Sequence, residues 1–262
     1  MKNIAGVVAL EHRLSGCKNV VTFGVKPNFL DYSEDEQRTI REAPKIYYPS
    51  TFYADLFDVY GKPTFPSYHT YKCVQDKIKQ TALFSLLGIP HPRTRVYYAR
   101  KNRVDRVEKL FKYPFIAKEP RGSAMGRGVY LIHNREEFAT YDQDRSIAYI
   151  QEYLPVDRDI RVVVIGSRAV HAYWRLAPEN DFRTNIAVGG RVSLDGVPDE
   201  AIRLALHASE KCGWDDVGID ICCHADRYYI LEANMKYGKE GFRKAGIDYT
   251  ALMETLIENG EI

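Results

Sequence analysis

The chain has 262 residues, with 37 basic and 35 acidic side chains and a formal net charge of +2. That near balance excludes a polycationic nucleic-acid binder as the main role, and the length suffices for two or three small lobes with their own cores. Five cysteines, Cys17, Cys73, Cys212, Cys222 and Cys223, form no C-x-x-C pair and are odd in number. A disulfide framework is therefore not expected, and a reducing compartment fits. The apolar start is broken by Glu11-His12-Arg13 too soon for a signal peptide, and no run reaches the length of a membrane span. The expectation is a cytoplasmic protein with no membrane or nucleic-acid partner.

Residues 1–70 read as a short, weakly patterned lobe. Val20–Phe23 and Lys45–Tyr48 have the composition of short strands, the charged run Asp31–Arg41 that of a helix, and Thr51–Tyr60 that of a helix ended by Gly61. No glycine-rich βαβ turn is present, which excludes an autonomous dinucleotide-binding lobe. A second lobe, residues 71–150, opens with a helix from Asp76 to Leu87, stopped by Gly88 and Pro90. It continues through a strand (Arg95–Ala99), a helix (Val104–Phe111), a strand (Phe115–Lys118), a glycine-rich loop, a strand (Gly128–Ile132), a helix (Arg135–Tyr141) and a strand from Ala148 to Leu154. The third, residues 151–262, turns antiparallel: Asp159–Ile165, a Gly166-Ser167 turn, then Ala169–Arg175. Pro198 starts a helix running to Cys212, and Asp248 caps a last helix to Glu258. Mixed elements with antiparallel hairpins indicate α+β lobes rather than a doubly wound sheet.

The strongest chemical signal lies in Val217–Asn234, where two β-rich runs flank a polar turn around Ala225 to Arg227. A three-residue turn there places Asp220 directly opposite Glu232, and strand alternation puts Asn234 on the same face as Glu232. Three oxygen-bearing side chains converge, a set suited to a hard cation such as Mg²⁺ accompanied by a substrate phosphate. Taken alone, such acids are more often solvent-facing.

Lys118 ends a strand and opens a loop with glycines at Gly122, Gly126 and Gly128, next to Ser123. Backbone N–H groups in such a loop approach an anion closely, although the pattern is neither a P-loop nor G-x-G-x-x-G. Lys77 falls at the start of its helix. Gln151-Glu152-Tyr153-Leu154 is either an edge for adenine and ribose or an ordinary strand end. Parity puts Asp159 and Arg161 on one face, with Arg175 on the paired strand. Buried arginines need an anion, which is either a protein carboxylate or a phosphate. No H-x-x-x-H and no G-x-S-x-G is present, so covalent serine or cysteine hydrolysis has little support.

In this order, the pieces Asp76–Lys79 with Leu86–Pro90, Pro114–Lys118, Gln151–Leu154, Asp159–Arg161, Asp181–Asn185, Gly189-Gly190, Gly218–Asp220, Glu232–Asn234 and Gly241 with Gly246–Asp248 resemble the ATP-grasp superfamily, closest to the RimK-like carboxylate–amine ligases. The resemblance covers about residues 72–262. It implies an α+β ATP-grasp fold of two lobes gripping ATP behind a short N-terminal α/β lobe. It further implies that Lys77 and Lys118 contact the ATP phosphates under the 122–128 loop, that Glu152, Tyr153 and Leu154 hold adenine, and that Asp159 reaches the ribose side. Arg183, Thr184 and Asn185 would line the nucleotide site. Asp220, Glu232 and Asn234 would bind two Mg²⁺ or Mn²⁺ ions, while Arg175, with Arg161 beside it, would stabilise the acyl phosphate and its tetrahedral successor.

The activity implied is ATP-dependent joining of a small-molecule or peptide carboxylate to an amine, releasing ADP and phosphate. A small-molecule kinase and a non-catalytic ATP-binding protein are the alternatives on the same scaffold. Related ligases are commonly homo-oligomers. The chain departs from the family pattern in a glycine loop one residue longer between its first two glycines and in a shorter N-terminal lobe. It also has Val188 where glutamate ligases tend to carry arginine, which argues against assuming glutamate as the amino acid.

Overall fold

A computed structural model describes residues 6–121, 128–179, 181, 183, 184 and 189–262. Three sheets follow one another along the chain. The first is parallel, in the order β2-β1-β3-β4, from β1 (Val7–Ala9), β2 (Val20–Thr22), β3 (Ile46–Tyr47) and β4 (Thr64–Phe65). Between its strands lie α1 (Glu34–Glu42), closed at its N-terminus by a Ser33/Glu36 capping box, and α2 (Ser50–Tyr60), stopped by left-handed Gly61. The expected strands at Val20–Phe23 and Lys45–Tyr48 are β2 and β3, while β1 and β4 were not singled out by sequence patterning.

Helix α3 (Tyr68–Val74) leads to α4 (Lys77–Leu87), where the Asp76 side chain accepts from the N–H groups of Ile78 and Lys79, and Gly88 ends the helix at φ 66°. The second sheet is antiparallel, ordered β5-β8-β6-β7, from β5 (Thr94–Tyr97), β6 (Phe115–Lys118), β7 (Val129–Ile132) and β8 (Ala148–Glu152). Helices α5 (Arg103–Glu108) and α6 (Arg135–Asp142) contribute Val107 and Phe138 to a buried cluster with Phe115, Ala117 and Ile150. The opposite face of this sheet, bearing Lys118, Tyr149 and Gln151, is left for the site.

The third sheet is antiparallel and ordered β11-β10-β9-β12-β13, from β9 (Arg158–Ile165), β10 (Arg168–Leu176), β11 (Arg191–Ser193), β12 (Asp216–His224) and β13 (Arg227–Asn234). Behind it runs α7 (Asp199–Cys212), whose Ala201, Ala205 and Ala208 repeat at helical spacing and pack on Ile160, Val162, Ile219 and Ile221. Helices α8 (Glu240–Lys244) and α9 (Tyr249–Glu258) complete the chain, with Asp248 capping the latter. Among the described residues no helix is long and apolar enough to cross a membrane.

The hairpin β12–β13 corrects one expectation. Its turn has two residues, Ala225 and Asp226, both left-handed at φ 49° and 58°, and His224 pairs with Arg227. That shorter turn would pair Asp220 with Leu231. A bulge between Asp220 and Ile221 absorbs Leu231 as the extra residue, so Asp220 does face Glu232. The expected register is reached by a different route, because one miscounted turn residue is cancelled by one bulged residue.

Candidate active site

One face of the third sheet carries the charged row. Across the strands, Tyr173 pairs with Arg161, Arg161 with Asp220, and Asp220 with Glu232, while Arg175 pairs with Asp159. Arg161 binds Asp220 through Nε to Oδ1 and through Nη2 to Oδ2, the latter at 2.9 Å. Its Nη1 donates to the Tyr237 carbonyl at 2.9 Å. Arg175 donates from Nε to Asp159 Oδ1 at 2.7 Å and from Nη2 to Asp159 Oδ2 at 2.6 Å, and Nη2 lies 2.8 Å from Asp220 Oδ2. All four side chains are buried.

Of the two anions open to these arginines, the structure supplies protein carboxylates. Asp159 is enclosed by Arg175 and by the Thr184 hydroxyl, which donates to Oδ2 at 2.6 Å. Gly218 makes the row possible: a Cβ there would sit 2.4 Å from the Tyr237 Cβ and 2.9 Å from the Arg161 Cδ. Any larger residue would block the path of Arg161 to Asp220.

At the β13 end the row opens. Asn234 donates from Nδ2 to Glu232 Oε1 at 2.9 Å, which leaves its own Oδ1 free to accept. Glu232 Oε2 lies 3.6 Å from Lys77 Nζ. Burial by itself would raise the Glu232 carboxyl, yet Lys77, then Lys118 and the Asn234 amide outweigh it and hold it at about 2. The Lys118 ammonium shifts the other way: burial pushes it below the ordinary lysine value, with Glu232 opposing and Lys77 reinforcing that shift. Lys77 comes from the first turn of α4 and Lys118 from the end of β6, so three elements meet around one carboxylate.

These residues fit a hard divalent cation. Glu232 is ionised, Asn234 presents a carbonyl oxygen, and Asp220 has committed three of about four lone-pair directions to guanidinium groups, leaving one on Oδ1. Among the described residues no group of three His, Cys, Asp or Glu side chains is placed to hold a metal. The amide of Asn234 and the single free direction on Asp220 make this a donor set of two carboxylates and an amide.

The sequence reading missed Gln80. Its amide donates to the Ala233 carbonyl at 3.0 Å and accepts from the Ala233 N–H at 2.9 Å, with a further bond to the Val74 carbonyl at 2.5 Å. It thereby fixes the backbone between Glu232 and Asn234 on an edge strand. The available signal was its spacing, one helical turn after Lys77 on the same face.

The remaining candidates divide. Gly128 closes the stem of the glycine loop: its carbonyl accepts from Glu119 N–H at 2.7 Å, and its φ is 70°. Glu152 Oε1 accepts from the Arg93 N–H at 2.5 Å. Tyr153 lines an open cavity of about 680 Å³ with Trp174, Cys223 and Tyr228, away from the lysines. Leu154 is half-buried just beyond β8. Arg183 is held by Asp181, with Nε 2.9 Å from Oδ1. Gly122, Ser123, Gly126, Asn185 and Val188 lie outside the described residues. A second, narrower cleft is walled by Lys77, Gln80, Tyr149, Gln151, Leu231 and Glu232, joining α4, β8 and β13.

A sheet carrying a carboxylate–amide pair, facing one lysine from a second sheet and one from the first turn of a helix, is the arrangement of an ATP-grasp enzyme. Residues 74–257 match the model of the RimK-like ATP-grasp domain, and the chain belongs to that family. It is 28% identical over 226 residues to a probable alpha-L-glutamate ligase of Citrobacter koseri, covering 82% of this chain and 75% of that protein. A ribosomal protein bS6--L-glutamate ligase of Escherichia fergusonii matches with the same identity and coverage.

Among solved structures, the RimK domain protein ATP-grasp of Sphaerobacter thermophilus superposes with a TM-score of 0.70 at 16% identity, covering 95% of this chain and 98% of that one. The ATP-grasp ligase PsnB, in complex with a phosphomimetic variant of its minimal precursor, Mg and ADP, gives 0.69 at 18% identity over 97% and 98%. The fold is the α+β ATP-grasp fold, and the protein is an ATP-dependent carboxylate–amine ligase; the kinase and non-catalytic alternatives are not favoured. ATP and Mg²⁺ are what ligases of this family use.

Proposed function

We propose that Lys77, Lys118, Glu232 and Asn234 form the phosphate end of the ATP site, and that the joined groups are those of an amino acid or peptide. The observation that carries this reading is the 3.6 Å approach of Lys77 to Glu232, with Lys118 buried beside them. Paired lysines and an ionised carboxylate at one point are matched to polyphosphate and a divalent cation together. Adenine would lie at the Gln151 end of the cleft, which Gln151 and Leu231 both line. Residues 1–70, 71–150 and 151–262 are assigned as the N-terminal, central and C-terminal lobes.

Two Mg²⁺ or Mn²⁺ ions are assigned to Glu232, Asn234 and the remaining Asp220 lone pair; bound there, they would neutralise charge on the phosphate oxygens. Lys77 and Lys118 orient the γ-phosphoryl for attack by the substrate carboxylate and stabilise the charge that shifts onto the leaving oxygens. The C–O–P linkage so formed makes phosphate the leaving group when the amine attacks the carbonyl carbon, giving an amide, ADP and phosphate. Arg161 and Arg175 act here by holding Asp220 and Asp159, and their positive charge lies behind the reacting groups. The relatives named for glutamate transfer support an amino acid as one substrate.

The test supplies ATP, Mg²⁺ and pooled amino acids and carboxylates, with and without hydroxylamine. Hydroxamate formation coupled to ADP release supports the ligase chemistry. A phosphorylated product inert to hydroxylamine would replace it with phosphotransfer.

A further inference from the structure

We propose that the face formed by β5 and α5 is a docking surface for an acidic stretch of a polypeptide substrate, an inference resting on the peptide reading of the substrate above. Residues 93–112 hold eight cations against two carboxylates, a net +6 within a chain of total +2, so the rest of the chain carries −4. The two carboxylates do not neutralise their own segment. Asp105 and Glu108 are both taken by Arg135 from α6, Asp105 at 2.6 Å, and Glu108 also accepts from the Tyr113 hydroxyl at 3.0 Å. Arg103 is buried and bound to Asp142 at 2.6 Å.

What remains is a strip of exposed positive charge. Arg95, Lys101, Arg106, Lys109 and Lys112 are exposed, and among the described residues none of them is within ion-pairing distance of a carboxylate. The strip is continuous across the two elements. Arg106 lies over the Tyr97 ring at 5.4 Å, Arg95 shares the Tyr97 face of β5, and Arg93, paired with Glu152 at 3.8 Å, lies over Phe111 at 5.1 Å beside Lys112 in the sequence.

Two considerations select the occupant. One or two charges suffice to protect an edge strand from pairing, yet here the charge spreads from the strand onto a helix, which edge protection does not require. Among the described residues strand β5 is at the edge of its sheet and pairs with β8 alone. Its other edge offers alternating main-chain donors and acceptors, a ladder that an added peptide strand matches along its length and that a phosphate backbone, which only accepts, does not. Charge complementarity then fixes the partner as acidic.

The test measures anisotropy of a fluorescein-labelled peptide of alternating glutamate and glycine, without ATP, against the full chain. The variants are Arg95→Glu/Arg106→Glu/Lys109→Glu and the neutral Arg95→Gln/Arg106→Gln/Lys109→Gln. The expected result is binding by the native chain that weakens roughly tenfold or more on charge reversal, less on neutralisation, and steeply between low and physiological salt. ADP affinity should be unchanged in both variants.

Equal binding by all three proteins, or none by the native chain, overturns the proposal. So does single-stranded RNA of matched charge displacing the peptide at lower concentration, which would make the face a nucleic-acid surface. Should the charge-reversed variant fail to fold, the neutral variant, checked for an unchanged Tm, decides. Because no turnover is measured, this outcome is separate from that of the hydroxylamine assay.

Discussion

Arg175 and Asp159 meet across β10 and β9 in a two-point ion pair, at 2.7 and 2.6 Å, and the same guanidinium reaches Asp220 at 2.8 Å. One cation is thus shared by two buried carboxylates, with Arg161 completing the charge balance on the far side. Removing one partner of such a pair is costly because it strands the other charge away from water. Arg175→Met is expected to lower unfolding stability by about 3–5 kcal/mol, and Arg175→Lys by less, since the charge stays while the fork is lost. Urea denaturation reads this directly. A loss under about 1 kcal/mol for the methionine variant would show that the row is held by something other than its ion pairs.

Much of this row was legible in the sequence. Strand parity put Asp159 and Arg161 on one face, and the β12–β13 hairpin was legible, although its Asp220–Glu232 register came out right only because a bulged residue offset a miscounted turn. What the sequence could not show was the choice of partner, because an arginine on a buried face is equally consistent with a carboxylate and with a phosphate. It also could not show Gln80, whose role depends on a contact to the backbone of a residue 153 positions away. The bulge at Leu231 was invisible for a related reason, since a bulge is set by how two strands dock and leaves no period in either. In the N-terminal lobe β2 and β3 were read from their apolar, β-branched and aromatic composition, but β1 and β4 were not, because two or three residues show no alternation.

Glu232 carries the first activity prediction. Glu232→Gln keeps the shape of the side chain and the neighbouring Asn234 contact but removes the charge that Lys77 and Lys118 share. Turnover should fall by at least about a hundredfold with little change in fold. Unchanged ADP release would remove Glu232 from the metal and phosphate assignment.

The same carboxyl predicts a pH dependence. Its value in the folded chain, about 2, lies below the ordinary glutamate value of 4.5. The unfolded chain therefore binds more protons between these limits, and stability from this group rises with pH there. It is fully present above about 4.5 and is lost as the pH falls toward 2. In urea titrations from pH 2.5 to 6, the native chain should gain stability relative to Glu232→Gln up to about pH 5 and run parallel above it. A constant offset across the range would mean that the lysines do not depress this group.

Gln80 predicts a split between stability and metal dependence. Gln80→Ala removes both bonds to Ala233 and leaves that peptide group unpartnered beside the site, a loss of about 1–3 kcal/mol. The backbone linking Glu232 to Asn234 then loses its clamp. The Mg²⁺ concentration for half-maximal ADP release should rise several-fold, with ATP affinity at saturating Mg²⁺ changing less. Equal changes in both would reduce Gln80 to a general packing role.

Gly128 and Gly61 separate strain from function at the loop stem. Both sit at nearly the same backbone angle, φ 70° and 73°, where an alanine costs roughly 1–2 kcal/mol. Only Gly128 is crowded: an added Cβ would lie 2.8 Å from Glu119 Oε2 and 2.9 Å from the Glu119 Cβ, whereas nothing lies within 4 Å at Gly61. The Glu119 carboxylate can swing aside, but its Cβ cannot move without its backbone, and that backbone donates to the Gly128 carbonyl at 2.7 Å. Gly128→Ala should therefore open the stem next to Lys118 and raise KM for ATP several-fold. Gly61→Ala should lower Tm by a few degrees and leave that KM alone. If both variants shift KM equally, the stem geometry at Gly128 has no bearing on how the lysine meets ATP.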